Sequence, residues 1–120
     1  MNMVEKLASL RAGIPGCHVA TFIDLGSKMV MAVDARSKQP QERLDTMADR
    51  ADRLFASPRV IMTGMSEHPP DKIVTVTQLN VEAFLRVDGT SEDALGLVCD
   101  HSVDIEKAVQ LGRALLADME

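Results

Sequence analysis

With 120 residues, 46% of them apolar and 26% charged, the chain has the composition of one globular domain large enough to bury a core without metal or disulfide staples. A formal charge of -5, no Trp or Tyr, and only Phe22, Phe55 and Phe84 exclude a nucleic-acid binder, which needs a basic surface and stacking rings. No window reaches the roughly 18 unbroken apolar residues of a membrane span. The first residues, with Glu5, Lys6 and Arg11, read as an amphipathic helix rather than an export signal. The expectation is a cytoplasmic protein with no membrane insertion, in which Cys17 and Cys99 stay reduced.

Residues 2 to 12 place Val4, Leu7, Ala8 and Arg11 at helical spacing behind Asn2 as a cap, and Gly13 and Pro15-Gly16 stop them. Ile14 to Asp34 then reads as a β-hairpin, two apolar runs broken at Asp24-Leu25-Gly26-Ser27. Strict alternation puts Cys17, Val19, Thr21 and Ile23 on one face of the first strand, and His18, Ala20, Phe22 and Asp24 on the other. In the second strand it groups Met29, Met31 and Val33 against Val30, Ala32 and Asp34. Both strands are apolar on both faces, so helices are expected on each side of the sheet.

Pro40 suits a helix start, and Leu44, Met47, Ala48, Ala51, Leu54 and Phe55 trace the buried stripe of the clearest helix in the chain, ending near Ser57-Pro58. Its opposite face carries Glu42, Arg43, Asp45, Asp49, Arg50, Asp52 and Arg53, with Asp49 and Arg53 spaced i,i+4. Arg59 to Met62 fits either a continued helix or a short strand, and Pro69-Pro70 fixes an extended loop. Strands follow at Lys72 to Thr77, Val81 to Val87 and Ala94 to Cys99, the last apolar throughout and therefore central. Ser102 with Glu106 is a loose start signal for a final helix whose stripe is Ile105, Ala108, Val109, Gly112, Leu115, Leu116 and Met119. The order is α-β-β-α-β-β-β-α, a single α+β domain over 1-120 with an antiparallel sheet between helices.

That order, together with Pro15-Gly16, the apolar strand after it, Asp24 and Gly26 in the hairpin and the long helix Gln41 to Phe55, resembles the Roadblock (dynein light-chain) family and its bacterial MglB-like members. The resemblance implies a profilin-like five-stranded sheet in the order 2-1-5-4-3. It implies a homodimer formed through the long helix and the neighbouring edge strand. It further implies a non-catalytic protein with no cofactor that binds a small Ras-like GTPase, or a structural subunit of a larger complex. Arg43, Asp49, Arg50 and Arg53 on the long helix are the partner-contact residues expected on that reading, with Arg50 or Arg53 able to meet Asp45 or Asp49 across a two-fold axis.

The residues offer little chemistry. Gly26-Ser27-Lys28 has the wrong order for a phosphate-binding loop and sits in a hairpin, and no Gly-x-Ser-x-Gly nucleophile elbow exists. Glu67-His68 has no nucleophile or orienting third group beside it. Cys17-His18 and Cys99-Asp100-His101 supply zinc ligands by type, but neighbouring strand residues point to opposite faces, so buried cysteines and exposed histidines are expected instead. Met29, Met31, Met62 and Met65 are expected to fill the core of a chain poor in aromatics. A second function class, a small-molecule sensor on a profilin- or PAS-like sheet, requires Ala83, Ala94 and Gly96 to line a cavity.

Overall fold

The computed structural model describes residues 2–56, 70–89 and 91–119. Among them run α1 (Met3–Ala12), β1 (Cys17–Asp24), β2 (Met29–Ala35), α2 (Gln41–Ala56), β3 (Lys72–Val76), β4 (Val81–Arg86), β5 (Asp93–Cys99) and α3 (Ile105–Asp118). The element order matches the one read from the sequence. The expectations for Arg59 to Met62, Glu67-His68, Pro69, Met62 and Met65 lie outside the described residues.

All five strands form one antiparallel sheet in the order β2-β1-β5-β4-β3. The most apolar strand, β5, sits at its centre, as its sequence predicts. Leu95, Leu97 and Cys99 of β5 face a core with Leu7, Leu10, Ala108 and Leu116, so α1 and α3 cover that side. Ala94 faces the other core with Met47, Ala48, Ala51 and Phe55 of α2. Each large α2 side chain so buried stabilises the fold by roughly 1.5–3 kcal/mol. A sheet apolar on both faces is thus covered on both.

Two β-bulges change the facing read by strict alternation. The β1–β5 register shifts between Cys17 and Val19, so Cys17 joins the α1/α3 core with Ala20, while Val19 and Ile23 join the α2 core. The β1–β2 register shifts at Phe22/Ile23, pairing Ile23 with Val30 and Phe22 with Ala32. Met31 is the residue left over. Val30 therefore shares the α2 side with Val33, and Met29 and Met31 are exposed at 55% and 58% rather than filling the core. The expected core role for these two methionines is corrected: β2 is an edge strand, and the bulge turns Met31 outward.

Local chemistry sets the element ends. Asn2 caps α1 by accepting from the Glu5 N–H at 2.8 Å. The cap of α3 is Asp104, which accepts from Lys107 N–H at 3.2 Å, in place of the expected Ser102. In the hairpin, Asp24 accepts from Gly26 N–H and from the Ser27 hydroxyl, each at 3.0 Å, and the left-handed residue is Lys28 (φ 58°) rather than Gly26.

Candidate functional site

The candidate site is the outward face of α2. Its buried stripe of Leu44, Met47, Ala48, Ala51 and Phe55 fixes the helix on the sheet and leaves its charged residues turned away from the core. Arg43 is exposed and donates to the Gln39 side-chain oxygen at 3.3 Å. Arg53, 78% exposed, pairs with Asp49 at 2.7 Å in the i,i+4 arrangement expected from their spacing. Asp45 accepts from the Gln41 amide at 2.9 Å.

Arg50 is held differently. Its guanidinium reaches Glu82 of β4 at 3.0 Å, and the same carboxylate oxygen accepts from Thr75 of β3 at 3.1 Å. Glu82 is only 14% exposed, so this pair is better shielded than the Arg53–Asp49 pair. The chain Arg50–Glu82–Thr75 joins the α2 face to the β3 edge of the sheet. On the opposite flank of α2, Asp52 pairs with Lys28 in the hairpin at 3.6 Å. Sequence spacing located Arg43, Asp49, Arg50 and Arg53 on one helix, but it missed Glu82 and Thr75. The available signal was the polar break each makes in an apolar run, Thr75 between Val74 and Val76 and Glu82 between Val81 and Ala83.

The β3 edge carries exposed apolar side chains: Val74 at 40%, Val76 at 72% and, in the turn beyond it, Leu79 at 81%. Among the described residues, β3 is the last strand of the sheet and hydrogen-bonds to β4 on one side only. An unpaired strand edge with apolar residues beside it is a template for another strand.

The cysteine and histidine cluster resolves into separate contacts. Cys17 and Cys99 face one another across β1 and β5, both buried in the α1/α3 core. His18 projects the other way, its Nε2 bonded to Asp100 and its Nδ1 3.2 Å from Arg36. His101 Nε2 meets the Thr77 carbonyl at 2.7 Å. Thiols and imidazoles do not converge, and among the described residues no three His, Cys, Asp or Glu side chains gather as metal ligands.

A shallow cleft of about 460 Å³ opens between the hairpin turn, the end of α2 and the β4–β5 turn, with Phe55, Arg86, Lys28, Asp52 and Glu92 in its walls. Arg86, 7% exposed, stacks on the Phe55 ring at 4.2 Å and donates from Nε to the Pro70 carbonyl at 2.9 Å. Burial lowers its pKa, and Asp88 and Asp71 oppose that shift. Ala83, Ala94 and Gly96, the residues a sensor cavity would need, do not line this cleft: both alanines are fully buried, and Gly96 packs against Thr21, Ile23 and Phe84. Among the described residues no helix is long and apolar enough to cross a membrane.

No family model and no curated protein sequence matches the chain. Its fold, in contrast, recurs among solved structures. A Roadblock/LC7 domain from Streptomyces avermitilis superposes with a TM-score of 0.81 at 13% identity, covering 99% of this chain and 95% of that one. An MglB with a tetrameric arrangement superposes with a TM-score of 0.78 at 19% identity, covering 97% and 83%. The gliding protein MglB from Thermus thermophilus gives 0.76 at 20% identity, covering 97% and 86%. At such identities the likeness lies in the fold. Over its described residues, this chain has the fold of a Roadblock/LC7 domain.

Proposed function

We propose that this protein is a non-catalytic regulator that dimerises and binds a small Ras-like GTPase, modulating its nucleotide cycle. The observation that carries the reading is the Roadblock fold spanning the whole described chain, on which the charged face of α2 and, among the described residues, the β3 edge are turned outward. Two copies meet through α2 and β3, with β3 pairing antiparallel to its counterpart so that the sheet continues across the two-fold axis. The Arg50–Glu82–Thr75 contacts support this choice of edge, because they make α2 and β3 parts of one surface.

The GTPase docks on the paired α2 helices, where Arg43, Asp49, Arg50 and Arg53 offer guanidinium forks and a carboxylate to its switch segments. Regulation works by differential affinity: the state of the GTPase that fits the surface is the state that accumulates. Catalytic groups and the nucleotide stay with the GTPase, in keeping with a chain that lacks a phosphate-binding loop.

A structural dimerisation subunit is the second reading, and one observation favours it: Arg50 and Arg53 already have intrachain partners. Sedimentation of the purified protein tests the dimer. Retention of a GTPase from host lysate in GDP or in a non-hydrolysable GTP analogue tests the rest. Preference for one nucleotide supports regulation, recovery of scaffold proteins alone supports the structural subunit, and a monomer carrying a metabolite sinks both.

A further inference from the structure

Cys17 opens β1 and Cys99 closes β5, and the antiparallel register sets them directly opposite. They are the chain's only cysteines. Opposed residues in such a ladder hold their Cα atoms roughly 4.5–5.5 Å apart, within the roughly 4.4–6.8 Å that a disulfide bridges. The bulge between Cys17 and Val19 is what turns Cys17 to the side on which Cys99 lies. Without it, Cys17 would share the face of Val19 and the two sulfurs would point apart. Instead both thiols lie in the α1/α3 core, with Cys17 Sγ donating to the Val19 carbonyl at 3.5 Å.

The two are not equivalent. The neighbouring Cys99 thiol draws the Cys17 thiol below its ordinary range, helped by the Val19 contact and the charges of Arg11 and Arg36 and opposed by burial. Cys99 is pushed up by the neighbouring Cys17 thiol and by burial. Cys17 is therefore the nucleophile and Cys99 the resolving thiol. With 2% and 0% exposure, the pair admits only a small oxidant.

We propose that Cys17 and Cys99 form an intramolecular redox site, which hydrogen peroxide converts to a disulfide linking β1 to β5. The Cys17 thiolate attacks one peroxide oxygen, the O–O bond breaks, and the departing hydroxide takes up a proton as water. Cys17 is then a sulfenic acid. The Cys99 sulfur attacks the Cys17 sulfur, the S–O bond breaks, and the hydroxide leaves with the Cys99 proton as a second water. Two thiols lose two electrons and the peroxide gains them. The register already places both sulfurs on one side, so the sheet keeps its pairing in both states.

The test treats the folded, full-length protein with hydrogen peroxide, alkylates it under denaturing conditions, and reads intact mass and peptide map. The expected product has lost the mass of two hydrogen atoms, takes up no alkylating agent, and yields one peptide pair joined through Cys17 and Cys99. In the Cys99→Ser protein a sulfenic acid at Cys17 becomes trappable by a dimedone probe. In the Cys17→Ser protein Cys99 reacts at least about tenfold more slowly than Cys17 does in the wild type. Wild-type protein that ends with sulfinic acids, with disulfides only between molecules, or with both thiols still alkylatable overturns the proposal, and this holds whether or not either variant folds.

Discussion

Thr21 shows how one polar side chain is made compatible with a dry core. It is fully buried, and its hydroxyl donates to the Gly96 carbonyl at 2.9 Å with the Met47 sulfur 3.3 Å away. This contact needs the absence of a side chain at Gly96, because a Cβ there would lie 2.7 Å from the Thr21 oxygen. Gly96→Ala is accordingly expected to cost about 1–3 kcal/mol, despite the better strand propensity of alanine. Urea unfolding should show a lower midpoint at unchanged slope. A midpoint equal to the wild type's would mean that Thr21 yields freely, and would refute this view of the β1–β5 contact. The sequence identified Thr21 as a strand residue but gave no sign of its bond to residue 96, which is a matter of register.

Among elements, the helices were legible and the strand facings less so. Helical periodicity depends only on the chain itself, so Leu44, Met47, Ala48, Ala51 and Phe55 of α2 and Ala108, Gly112 and Leu116 of α3 emerged from spacing and are buried. Leu54, Ile105, Val109, Leu115 and Met119 are half-buried beside them. Strand facing depends on pairing, and each bulge reverses it from that point onward. Cys17 and Met31 were misplaced for that reason, and Met29 because it opens an edge strand. Substituting lysine at Met29 or Met31 is therefore expected to change stability by no more than about 0.5 kcal/mol, whereas a core methionine would cost several times that. Thermal unfolding of Met31→Lys decides between the two roles.

Packing of α3 on β4 supplies a sharper test. A Cβ at Gly112 would run into the Leu85 side chain, which is fully buried and has no exposed space to move into. Helix propensity favours alanine over glycine by about 1 kcal/mol, but overpacking costs about 1–3 kcal/mol. Gly112→Ala should therefore destabilise the protein, measured as a lower denaturation midpoint. A gain in stability would show that α3 sits off the sheet far enough to accept a methyl group.

At the scale of the whole molecule, element order was enough to name the fold class and the likeness to Roadblock domains, because few arrangements cover a two-faced apolar sheet with three helices. The candidate site was half legible. Arg43, Asp49, Arg50 and Arg53 stood out as one charged helix face, while the Glu82 and Thr75 contacts that tie Arg50 to β3 come from elements far apart in sequence. The proposed function belongs to a surface rather than a pocket, and among the described residues no cluster of metal ligands marks that surface.

The most direct measurement of that account is nucleotide-dependent retention of a GTPase, comparing the wild type with an Arg43→Glu/Arg53→Glu double variant. Both positions are exposed, so the variant should keep its fold and unfold within about 0.5 kcal/mol of the wild type. The account predicts that the wild type retains a Ras-like GTPase, identified by mass spectrometry, in only one of the GDP and GTP-analogue states, and that the folded variant loses at least about tenfold of that retention. Retention of no GTPase in either state, or equal retention in both that the charge reversal leaves unchanged, would contradict it.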